Sequence, residues 1–159
     1  MSVAFARLGP EDAPRVAHLT VGPGQEQFTA RPASRLGALR EGEEPWAVLW
    51  AGDIVGFLII DRGYAAQYDF AFPGELGLRS VLIDAGRQGE GIGTAAMAKL
   101  RGLMAAEYPD ARSLALTVNC ANPAAKAVYA KAGFGDTGFL FHGGRAGPQH
   151  ILRMTLATG

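Results

Sequence analysis

The 159-residue chain has a single cysteine, Cys120, so no internal disulfide can form. Its three histidines, His18, His142 and His150, are scattered, and no Cys/His spacing resembles a zinc site, so no metal is expected. Neither sign of charge is in excess: Lys plus Arg and Asp plus Glu each number 15. That balance offers no basic surface for nucleic acid or anionic lipid and no acidic tail, so neither nucleic acid nor membrane is an expected partner. No apolar run approaches the roughly 20 residues that span a bilayer. The opening MSVAFARLGPEDAPRV lacks the basic and then apolar pattern of a secretory leader, which makes a cytoplasmic protein the expectation. Internal repeats and low-complexity segments are also missing.

What remains is a chain that is 48% hydrophobic, enough for one core and too short for two, so residues 1–159 read as one domain. Val3 to Leu8 suits a short opening strand, and Gly9-Pro10-Glu11-Asp12 leads into a helix ending near Leu19. Val21-Gly22-Pro23-Gly24 breaks that helix, and a second helical piece from Ala33 to Arg40 ends at Glu41-Gly42; such a broken pair can line a cleft. Trp46 to Trp50 and Ile54 to Ile60 read as a hairpin closed at Ala51-Gly52-Asp53, with Gly-Asp at the turn. Residues 62–74 connect to a central strand, Glu75 to Asp84.

From Gly91 to about Tyr108, Ile92, Ala96, Leu100, Leu103 and Met104 recur at helical spacing and predict one long helix. A strand at Leu114 to Val118, a helix from Pro123 to Gly133, and strands at Gly135 to Phe141 and His150 to Leu156 complete the chain, the last two joined by the loop 143–148. Hairpins at both ends around one strand-helix-strand crossover indicate an α/β or α+β mixed sheet. Trp46, Trp50, Phe57 and Phe139-Leu140-Phe141 read as core or sheet-edge packing, and an exposed edge among them would suit a homodimer.

The central strand runs into Gln88-Gly89-Glu90-Gly91-Ile92-Gly93-Thr94, which opens directly into the long helix. Backbone N–H groups at a helix start have no internal partners and carry partial positive charge, and glycines let a pyrophosphate approach the backbone. A P-loop is excluded because no lysine precedes Thr94, and the G-x-G-x-x-G dinucleotide fingerprint fails because the glycines fall at 89, 91 and 93 in mid-chain. A flexible strand-to-helix turn is the plainer alternative for the glycines taken alone.

This block resembles the Q/R-x-x-G-x-G/A signature of the GNAT (GCN5-related N-acetyltransferase) superfamily, preceded as in that family by an apolar strand end, Val81-Leu82-Ile83-Asp84. A second block, from Val118-Asn119-Cys120-Ala121-Asn122-Pro123 to Tyr129 and Gly133-Phe134, resembles the family's other motif, in the family's order. The resemblance implies a mostly antiparallel mixed sheet of about six to seven strands flanked by about four helices. It implies acetyl-CoA as co-substrate, with Val81, Leu82 and Ile83 on the pantetheine arm and Gln88, Gly89, Glu90, Gly91, Ile92, Gly93 and Thr94 on the pyrophosphate. It implies that Asn122 contacts the CoA arm and that Tyr129 protonates the departing thiolate. Asn122 also reads as a plain N-cap, Tyr129 as a core aromatic, Arg87 as a phosphate contact or a solvated side chain, and Cys120 as a small residue beside the fifth strand.

An aliphatic amine is mostly protonated near neutral pH, so its proton needs an acceptor. Glu75 is the strand carboxylate considered for this role, against a solvated strand-end reading; Glu26 and Tyr64 are further possibilities. The sequence departs from the family here, since acidic bases of several members fall about where Gly77 or Arg79 stands. An N–H near Leu82 is expected to support the acetyl oxygen. Leu19-Thr20-Val21, Gln25-Glu26-Gln27-Phe28 and Val55-Gly56-Phe57 loosely resemble the bacterial spermine/spermidine acetyltransferases. The expected activity is acetyl transfer from acetyl-CoA to a small-molecule amine such as a polyamine. The alternatives are a non-catalytic acyl-CoA sensor, an aminoglycoside acetyltransferase, and a protein or peptide N-acetyltransferase.

Overall fold

The computed structural model describes residues 2–23, 25–26, 28–144 and 146–156. Gly24, Gln27 and Arg145, which fall in segments interpreted above, lie outside the described residues, as do Met1 and residues 157–159. Seven strands form one sheet: β1 (Val3–Arg7), β2 (Glu43–Trp50), β3 (Asp53–Asp61), β4 (Leu76–Ile83), β5 (Ser113–Asn119), β6 (Gly135–Phe141) and β7 (Gln149–Thr155). Their order is β1-β2-β3-β4-β5-β7-β6, with only β4 and β5 parallel. This is the expected mostly antiparallel mixed sheet.

Alternation along the strands sends apolar side chains to both faces. Trp46, Val48, Leu58 and Ile60 join a core beneath α4 (Ile92–Ala98), α5 (Leu100–Glu107) and α6 (Pro123–Ala132), while Ala47, Phe57 and Ile59 join a second core with Val16 and Leu36. Val16 and Leu36 come from α1 (Ala13–Val16) and α2 (Pro32–Leu36), each much shorter than expected. The 62–74 connector holds a further single turn, α3 (Tyr64–Gln67).

Two local expectations are corrected. The hairpin turns on Ala51-Gly52, not Gly-Asp: Trp50 pairs with Asp53, and Ala51 and Gly52 both take positive φ, 53° and 85°. A two-residue hairpin needs that left-handed pair to match the strand twist, even where alanine must supply half of it. The long helix is divided at Lys99, whose N–H bonds back to Ala96 (3.1 Å) and whose Nζ donates to the Val3 carbonyl on β1 (3.1 Å). The apolar stripe survives the break because Ile92, Ala96, Leu100, Leu103 and Met104 all stay buried.

Glu75, just before β4, ties the start of that strand to β5 and β7. Its carboxylate accepts two bonds from Arg153 (2.6 and 2.9 Å), one from the Ser113 hydroxyl (2.7 Å) and one from the Phe72 N–H (3.0 Å). Burial opposes the charge, but these donors prevail and hold the carboxyl below its usual 4.5. The stability it supplies is therefore complete above about pH 4.5 and is lost as pH falls through the lower folded-state value. Glu75→Gln leaves Arg153 without its charge partner and should cost about 3–5 kcal/mol at neutral pH, with a smaller deficit in acid; urea unfolding at the two pH values measures both.

Candidate active site

The parallel pair β4 and β5 is hydrogen-bonded at only two positions, Leu76 opposite Leu114 and Gly77 opposite Ala115. Beyond them the strands part. The cause lies on the other edge of β4: Phe57 pairs with Leu82 and Ile59 with Arg79, so Leu58 faces both Ser80 and Val81. This is a bulge, and Ser80 sits at φ 56° within it, a left-handed conformation uncommon for a non-glycine residue. The extra residue bends β4 away from β5 and opens a cleft of about 1050 Å³.

At one end of the cleft the N–H groups from Gly89 to Thr94 donate to no acceptor among the described residues. Gly89 and Gly91 take φ of 87° and 79°, and nothing lies within 4 Å of where a Cβ would project from either. The loop is thus left-handed and open to a large anion such as a pyrophosphate. It is anchored by the Gln88 side chain, which donates to the Ile83 carbonyl (3.1 Å), and by Asp84, which accepts from the Thr20 N–H and hydroxyl (2.9 and 3.0 Å).

Val81, Leu82, Ile83, Gln88, Gly89, Gly91, Ile92, Gly93, Thr94, Asn122 and Tyr129 all line this cleft, although the two motifs lie some thirty residues apart in sequence. Glu90 does not; it pairs with Arg87 (3.1 Å), which does. Asn122 is the N-cap of α6, its Oδ1 accepting from Ala125 N–H (3.3 Å), and it also borders the cleft. Tyr129, two turns further along α6, packs edge-on against Phe134 (5.7 Å). Burial alone pushes its phenol well above the ordinary range, so it stays protonated. Cys120 is partly exposed just past β5 and does not line the cleft.

The structure separates Glu75 from this group. It is 2% exposed, saturated by Arg153 and Ser113, and absent from the cleft wall. The solvated reading of Glu75 is corrected as well, since the side chain is fully enclosed. Position 77 has no room for an acid, because a Cβ on Gly77 would collide with the Tyr64 ring. Tyr64 itself reaches the cleft, while Glu26 is exposed and does not line it. The Phe139-Leu140 pair lies exposed on edge strand β6, at 72% and 43%, whereas Trp46 and Phe57 are core.

Sequence reasoning missed the opposite end of the cleft, where Arg35, Arg40 and Arg79 converge. Arg35 donates to Glu43 (2.6 Å) and to Ser80 Oγ (3.0 Å), the residue at the bulge. Arg79 donates to Asp61 (2.8 Å), Gln67 (2.9 Å) and the Tyr68 hydroxyl (3.1 Å), and its guanidinium lies 4.9 and 5.0 Å from the Tyr64 and Tyr68 ring centres. The only local hint was the broken helical segment carrying Arg35 and Arg40. Their convergence with Arg79 depends on contacts across 45 positions, which no local pattern encodes.

A family model described as the acetyltransferase (GNAT) family matches residues 5–134. A comparison with curated proteins found no match. Among solved structures, the aminoglycoside acetyltransferase AAC(6')-Ib in complex with coenzyme A has a TM-score of 0.78 at 21% identity, covering 97% of this chain and 95% of that one. A chimera of the spermidine N-acetyltransferase SpeG from Vibrio cholerae and hSSAT has a TM-score of 0.70 at 16% identity, covering 98% and 96%. An acetyltransferase from Thermus thermophilus has a TM-score of 0.69 at 21% identity, covering 98% of each chain. At these identities the likeness establishes the shared fold. With the family model spanning most of the sequence and both motifs meeting at one cleft, the chain belongs to the GNAT acetyltransferase family and is an acyl-CoA-dependent N-acetyltransferase that uses acetyl-CoA as co-substrate.

Proposed function

We propose that this protein transfers acetyl from acetyl-CoA to the primary amine of a small molecule by direct attack on the thioester. The observation that carries this reading is the convergence of the free loop amides, the parted strand edges and Tyr129 on one cleft. Acetyl-CoA supplies an activated acyl group on a good leaving group. The amides of Gly89 to Thr94 hold the pyrophosphate, and the cleft edge of Val81-Leu82-Ile83 orients the pantetheine arm. An N–H near Leu82 stabilises charge developing on the acetyl oxygen.

Tyr129 donates a proton to the departing sulfur. The proton moves to sulfur as the C–S bond breaks, so the phenol meets the basicity of the developing thiolate rather than that of water. Tyr129→Phe keeps the ring packed on Phe134 and removes only the hydroxyl. It should lower kcat by about 10²–10⁴-fold with little change in acetyl-CoA affinity, as followed by thiol release and calorimetry.

No Asp or Glu lines the cleft among the described residues, which supports a mechanism without a carboxylate in direct contact with the amine. The amine then gives its proton to water as it enters the cleft. The pH profile of kcat/KM should therefore rise about tenfold per pH unit through neutrality until the amine is deprotonated. A separate inflection in the carboxylate range, around pH 4 to 6, would show that an acidic base takes part.

A further inference from the structure

We infer that the acceptor amine carries a carboxylate, and that Arg35, Arg40 and Arg79 form its binding site; this rests on the acetyltransferase reading of the same cleft. Four arginines line the cleft and, among the described residues, no acidic side chain does. Arg87 stands at the glycine loop with Glu90, so the other three define the end away from the loop. Their carboxylate partners, Glu43 and Asp61, have no side-chain exposure, whereas the Arg35 and Arg79 side chains are each 16% exposed. Three guanidinium groups against two carboxylates leave one positive charge, and the positive members are the ones presented to the cleft.

The arginines also retain unused donors. A guanidinium has five N–H groups in a planar fork that matches a carboxylate. Arg35 commits Nε to Ser80 and Nη2 to Glu43, leaving Nη1 without a protein partner among the described residues. No buried side-chain nitrogen or oxygen there lacks a partner, so that Nη1 is reachable by solvent. Arg40 commits only Nη1, to Gln67. Arg79 is clamped by Asp61, Tyr68 and Gln67, so much of the entropy of ordering it is lost on folding rather than on binding.

Spacing fixes the kind of acceptor. Arg35 bonds the Ser80 side chain, two residues from Leu82, beside which the proposed function places the acetyl oxygen. Adjacent strand residues are about 3.3 Å apart, so the amine and its anion are separated by only a few bonds, as in an amino acid or a short peptide. An extended polyamine would instead bring a further ammonium group against the guanidinium groups.

The test uses matched acceptors with the purified full chain: phenylalanine, phenylalanine amide and phenethylamine; lysine and 1,5-diaminopentane; spermidine; and phosphoethanolamine. Acetyl-CoA binding is checked by calorimetry and turnover by thiol release. Each amino acid should exceed its decarboxylated partner in kcat/KM by about tenfold or more, with the amide grouping with the amine. Arg35→Gln and Arg40→Gln should each shrink that ratio through the acceptor KM and leave the acetyl-CoA KM unchanged. Arg40 is exposed, so its variant stays informative even if Arg35→Gln, which strands the buried Glu43, fails to fold. Preference for spermidine, the bare amines or the phosphorylated amine, or a ratio unmoved in the Arg40 variant, overturns the carboxylate site while leaving the transferase intact. Bound acetyl-CoA with no turnover of any amine overturns both.

Discussion

The separation of β4 from β5 after two paired residues is the constraint on which the rest of the molecule depends. A parallel pair that stayed hydrogen-bonded to its ends would close the sheet and leave nowhere for a ligand to lie. The bulge at Ser80-Val81 prevents that by bending β4 while its other edge stays zipped to β3. Every feature of the cleft is placed by this one irregularity. The glycine loop begins where the bent strand ends, Asn122 and Tyr129 stand on the helix that follows the other arm, and Arg79 immediately precedes the bulge.

Electrostatics divides the carboxylates into two sets with different work. Glu43, Asp61 and Glu75 are buried and bound to arginines, so they hold structure without reaching substrate. The cleft itself is left with cations and neutral groups. Glu75 illustrates why a strand carboxylate near a proposed reaction centre is not thereby a base. A group that accepts four hydrogen bonds is a poor proton acceptor, and enclosure keeps it from the amine altogether.

Much of this was legible in the sequence, and the parts that were not share a cause. The Gln88 to Thr94 loop, the Asn122-Pro123 helix start and the spacing to Tyr129 are local patterns, and they specify local geometry. The sheet also followed from apolar alternation and turn residues. The Lys99 break was hidden because the apolar stripe runs through it without losing phase. The arginine cluster and the Glu75 clamp were hidden because each joins segments 45 to 78 positions apart. A charge in a sequence does not say whether it will meet water, a partner or a ligand.

The packing of Tyr64 over Gly77 bears on how such a cleft could change over generations. Any side chain at position 77 meets the tyrosine ring, and replacing the tyrosine alone would empty a fully buried site beside a bare backbone. An acid could enter at position 77 only if both positions changed together, with an intermediate that is either overpacked or hollow. That contact keeps a carboxylate out of position 77, so a change in what the cleft accepts is more readily made at its rim, where side chains have room to vary.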